Sequence, residues 1–91
     1  MPERRVVVTG LGAVTSIGKT VNDFWANILA GKSGAGPITR FDASRFKTKF
    51  ACEVKDFDVL DYFDRKEARK YDLFTHFAVV AADEALKDAG I

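Results

Sequence analysis

An α/β architecture is written into three stretches of the sequence. Val6-Val7-Val8 is an unbroken β-branched run closed by Gly10, the pattern of a strand covered on both faces, as in a parallel sheet between helices. Val21, Phe24, Trp25, Ile28 and Leu29 recur at the spacing of one apolar helix stripe. Leu73 to Ala89 is a second, longer helical stretch. It is apolar almost all round in its middle, as helices enclosed by other layers are.

The remaining elements follow in order. Leu11 to Lys19 is a Gly- and Thr-rich loop, and Thr20 stands as N-cap of the first helix, with Asp23 in its first turn. Gly31 occupies the C′ position. Ser33-Gly34-Ala35-Gly36-Pro37 is a loop, after which Ile38, Phe41 and Phe46 pin an irregular segment. Phe50 to Val54 alternates, which predicts a short strand with Phe50, Cys52 and Val54 on its apolar face. Asp58 caps a turn carrying Val59, Leu60, Tyr62 and Phe63, and Asp64 caps Arg65-Lys66-Glu67-Ala68-Arg69-Lys70. Asp72 opens the last helix and Gly90 ends it. No repeat, linker or low-complexity tract divides residues 1–91, so no internal domain boundary is expected.

Composition narrows the function classes. At 47% hydrophobic and 30% charged residues the chain is globular in type, not disordered or collagen-like. A net charge of +1 gives no global positive field, so nucleic acid is not an expected partner. No apolar stretch approaches the roughly 20 residues of a membrane span, and the first ten residues lack a secretory h-region and cleavage site. Cys52 has no second cysteine to pair with, which points to a reducing compartment and a cytoplasmic location. Eight Phe, two Tyr and one Trp are many rings for a chain of 91 residues. A domain of that size covers only about 60% of its unfolded surface. With the apolar last helix, this predicts a piece of a larger protein that would aggregate or stay partly molten alone.

Most candidate chemistry has a plainer explanation. Gly10 and Gly12 follow a strand, but a dinucleotide turn needs a third glycine where Thr15 stands, and its helix would begin within the glycines rather than near Thr20. A tight strand exit explains these glycines better. Cys52 and His76 could pair for acyl transfer only if they met, and nothing in the sequence brings them together. Each is read as a packing residue, and one Cys and one His cannot furnish a zinc set. Asp56, Asp58, Asp61 and Asp64 lack metal-loop spacing and read as caps and solvated turns.

The basic cluster stands apart. Four bases against one acid leave Arg65–Lys70 at +3 in a chain whose total is +1. On a helical turn Lys66, Arg69 and Lys70 share one face, and their mutual repulsion would be relieved by a compact acidic partner. Read from the residues alone, such a chain is also consistent with a small non-enzymatic α/β module binding an acidic protein through this patch.

A family resemblance runs through the whole sequence. Arg4-Arg5-Val6-Val7-Val8-Thr9-Gly10-Leu11-Gly12-Ala13-Val14-Thr15-Ser16-Ile17-Gly18 resembles the opening of the β-ketoacyl-acyl-carrier-protein synthases. Phe24-Trp25, Leu29 to Gly34, Ile38 with Phe41-Asp42, and Ala85 to Gly90 continue it in order. Lys49-Phe50-Ala51 with Val54 to Asp58, and the Arg-Lys-Glu-x-Arg-Lys cluster, are similar more narrowly to the synthase II branch. The resemblance implies a thiolase-like fold of two duplicated α/β halves, of which residues 1–91 are the start of the first. It implies a cytoplasmic, homodimeric enzyme without cofactor. Such an enzyme condenses a cysteine-bound acyl chain with malonyl-acyl-carrier protein, releasing carbon dioxide. The resemblance places the catalytic cysteine and two histidines beyond Ile91, so Cys52 and His76 are not those groups and the 91-residue chain alone is expected to be inactive. It also implies that Lys66, Arg69 and Lys70, with Arg65 beside them, contact the acidic helix of the acyl carrier protein.

Overall fold

The computed structural model describes residues 3–91. Helix α1 spans Val21–Leu29, begun by Thr20, whose Oγ1 accepts from the Asp23 N–H at 3.2 Å. It ends in Gly31 at φ +70°, the left-handed turn that glycine takes without steric cost. Two short strands follow, β1 (Gly36–Pro37) and β2 (Phe50–Ala51), paired antiparallel with Gly36 opposite Ala51. A 3-10 turn at Val59–Asp61 leads into the one-turn helix α2 (Arg65–Ala68), and α3 runs from Leu73 to Asp88. Asp72 precedes α3 as expected, but its side chain makes no capping bond.

Helix α3 organises the rest. The Glu84 carboxylate accepts from Ala13 N at 2.9 Å and Val21 N at 3.0 Å, and Asp88 Oδ2 accepts from Leu11 N at 3.0 Å. Gly10 and Gly12 lie so close to the helix that an added Cβ would collide with the carbonyl oxygens of Ala85 and Ala81. These two glycines therefore serve close backbone approach, as expected of a tight strand exit. Farther along, Phe57 stacks on Tyr62 at 5.1 Å and meets Phe77 of α3 edge-on at 4.9 Å.

Two expectations are corrected. Val6 to Val8 forms no strand, and Val6 is 93% exposed, because no strand lies beside it among the described residues. The strand expected over Phe50–Val54 stops at Ala51, with Phe50 exposed and Ala51 half-buried, and Cys52 is exposed rather than packed. The pairing ends at Gly36 opposite Ala51, while on the other side it continues through Ile38 N–H to the Lys49 carbonyl oxygen at 3.0 Å. Beyond Ala51 the chain is held instead by Glu53, which accepts from the Thr39 hydroxyl at 2.8 Å and from the Thr39 and Arg40 amides.

The apolar faces of α1 and α3 are only partly covered. Among the described residues the buried apolar side chains are Ala43 and Val80, while Trp25, Leu29, Phe74, Val79 and Leu86 are exposed. The accessible surface is 7537 Å², against roughly 5,200 Å² for a compact chain of this length. The radius of gyration of 16.7 Å likewise exceeds the about 12 Å of a compact domain. The expectation that α3 belongs inside a thicker assembly of layers agrees with this open surface.

Candidate docking site

Asp64 sets the start of the candidate site. Its Oδ1 accepts from the Glu67 N–H at 2.8 Å, fixing the first turn of α2. One turn is far too short to persist by itself in water. Tertiary contact supplies what length does not, and it comes from His76 on α3. The imidazole lies 5.2 Å from the ring of Phe63, just before α2, and its Nε2 lies 3.1 Å from the carbonyl oxygen of Ala68, the last residue of α2. A carbonyl oxygen only accepts, so Nε2 carries the proton.

The four bases are all exposed. Lys70 Nζ folds back to Glu67 Oε1 at 3.0 Å, and this hydrogen bond, with the charge of Glu67, raises the lysine above its ordinary value. Among the described residues, Arg65, Lys66 and Arg69 have no carboxylate within 4.0 Å. Helical backbone runs through Arg69, so Lys66 and Arg69 stand one turn apart, as the spacing predicts. The result is a small, hydrated field of three uncompensated cations. Such a field attracts and orients an acidic surface at low salt and is screened at high salt.

The other candidates stay apart. Cys52 lies at the edge of an apolar groove of about 350 Å³ with Ile38, Phe41 and Phe77, while His76 is buried against Phe63 and Ala68. No hydrogen bond joins them, so no nucleophile–base pair forms. Asp58 and Asp64 are caps, accepting from Leu60 and Glu67, as expected. Asp56 takes a left-handed φ of +56°, and its carbonyl oxygen accepts from Lys19 Nζ at 2.7 Å. Sequence reasoning missed Glu84 and Asp88 as anchors of the glycine loop. A signal was present, since Ala81, Ala85 and Ala89 put small residues one turn apart where Gly10 and Gly12 approach.

The fold is that of a β-ketoacyl synthase N-terminal domain. Residues 3–91 match the family model described as "Beta-ketoacyl synthase, N-terminal domain", and the chain belongs to that family. It is 54% identical over 89 residues to the 3-oxoacyl-[acyl-carrier-protein] synthase 2 of Synechocystis sp., covering 98% of this chain and 21% of that one. It is 53% identical over 91 residues to the protein of the same name from Coxiella burnetii, all of this chain and 22% of that one. A solved structure titled "The ishigamide ketosynthase/chain length factor" superposes with a TM-score of 0.87 at 42% identity, covering 99% of this chain and 22% of the other. The thiolase-like α/β class expected from the sequence is thereby borne out. The chain spans about a fifth of the length of the relatives it matches.

Proposed function

We propose that the protein carrying these residues is a β-ketoacyl-acyl-carrier-protein synthase of the synthase II type. It extends fatty acyl chains by decarboxylative condensation of malonyl-acyl-carrier protein with an enzyme-bound acyl group. The observation that carries this reading is the match to proteins named for that reaction along the whole chain, at 53–54% identity. Residues 1–91 contribute core and docking surface. The reacting cysteine and histidines belong to the rest of the enzyme, consistent with Cys52 and His76 being apart. The enzyme works in the cytoplasm as a homodimer.

In this reading Arg65, Lys66, Arg69 and Lys70 receive the acidic surface of the acyl carrier protein. The exposed, uncompensated cations of α2 support the assignment. Each exposed pair adds little affinity, but their summed field speeds encounter and sets orientation. Reversing charge at Lys66→Glu and Arg69→Glu in the full-length enzyme is expected to raise the apparent KM for carrier-bound substrate about 3- to 10-fold and to flatten its salt dependence. An unchanged KM with an unchanged salt dependence overturns the docking role.

A further inference from the structure

We propose that His76 is the positioning residue of the docking patch: it holds α2 at both ends from the rigid helix behind it, and so aims the cations. The inference rests on the docking role just given to α2 and concerns a residue outside the basic cluster. Three observations carry it. First, α2 is a single turn, so its orientation is set by what it packs on and not by its own hydrogen bonds. Second, His76 meets Phe63, two residues before the turn, by its ring, and the carbonyl of Ala68, the turn's last residue, by Nε2. Third, His76 is 6% exposed while the four bases around the turn are exposed, so it cannot itself be the contact.

The hydrogen bond is chemically directional. The Ala68 oxygen is among the carbonyls that a one-turn helix leaves without an intrahelical donor. His76 supplies the donor from α3, eight residues later in the chain. Its Nδ1 has no hydrogen-bond partner among the described residues, so the ring's one protein hydrogen bond is the Nε2 donor directed at α2. A side chain that keeps a donor at that reach preserves the arrangement, and one of similar bulk without a donor loses it. Glutamine is the first kind and leucine the second.

The test uses the full-length enzyme with His76→Leu and His76→Gln, assayed with carrier-bound substrates and with short acyl thioesters that lack the carrier protein. His76→Leu is expected to raise the apparent KM for carrier-bound substrate about 2- to 10-fold, the loss of one hydrogen bond's worth of positioning. It is expected to leave kcat and turnover of the carrier-free thioesters unchanged. His76→Gln is expected to restore the KM. Amide hydrogen exchange at Glu67 to Lys70 is expected to quicken in His76→Leu and not in His76→Gln. Unchanged exchange in His76→Leu overturns the inference, as does quickened exchange with an unchanged KM. An equal loss toward both substrate types also overturns it, since a merely structural residue behaves that way. If Lys66→Glu with Arg69→Glu is silent as well, the docking role of α2 falls along with the positioning role.

Discussion

Leu11, Ala13 and Val21 give their backbone N–H groups to carboxylates of α3, whereas Val6 to Val8, just before them in sequence, leave their side chains in solvent. The sequence predicted neighbours for the valine segment but none for the glycine-loop segment. The polar one finds its partners within the chain, and the apolar one does not. A carboxylate can satisfy two amides at one point of contact, so a few residues complete that join. A row of valines needs a whole surface and a neighbouring strand. The difference shows that the hydrogen-bonded seam between the glycine loop and α3 is a unit in itself. The apolar layers around it await cover.

The largest way to break the contrast is to force the seam apart. Gly12→Val places a branched side chain into the Ala81 carbonyl and is expected to cost ~3 kcal/mol or more, lowering the thermal midpoint and soluble yield of the full-length protein. A normal midpoint would show that the loop can stand off α3. A milder probe is Glu84→Ala, which leaves the Ala13 and Val21 amides without their acceptor. About 2–3 kcal/mol is expected in denaturant titrations, the sum of two charge-assisted bonds discounted for partial exposure. Equal stability would remove the carboxylate as the reason the two segments differ.

The smallest effect sharpens the comparison with a second carboxylate clamp. The Thr39 hydroxyl's hydrogen bond, with those of the Thr39 and Arg40 amides and the nearby Arg40 charge, holds Glu53 below its ordinary value of 4.5, against a smaller opposing effect of burial. A lowered carboxyl stabilises the folded state above its unfolded value, and that contribution disappears as pH falls through the folded one. Hydrogen exchange at Thr39 and Arg40 is therefore expected to lose protection only below pH 4.5, and Glu53→Gln to abolish that acid-dependent step. Protection that ignores pH would assign the hold on this loop to the strand pair β1 and β2 instead.

Much of the fold was legible because it is local. Thr20, Asp58 and Asp64 each cap a turn two or three residues ahead, and Gly31 and Gly90 end helices at positive φ. Such bonds depend on side-chain type and short spacing, which a sequence displays directly. The basic cluster on α2 was legible for the same reason, since charge and i,i+3 spacing place Lys66 and Arg69 one turn apart. Cys52 is exposed because alternation predicts a face only while a ladder lasts, and this one ends at the Gly36–Ala51 pair, one residue before Cys52.

What the sequence determined by itself, then, was the order of helices, the caps of α1 and α2, the glycine exit, the basic charge of α2 and the family to which they belong. Only the tertiary structure decided which residues anchor that turn and that exit. Ala13 and Glu84 are 71 positions apart, and His76 meets Ala68 across the break between two helices. Long-range partners are chosen by the geometry of packed elements, in which any acid on α3 looks alike until the backbone of the loop arrives beside one of them.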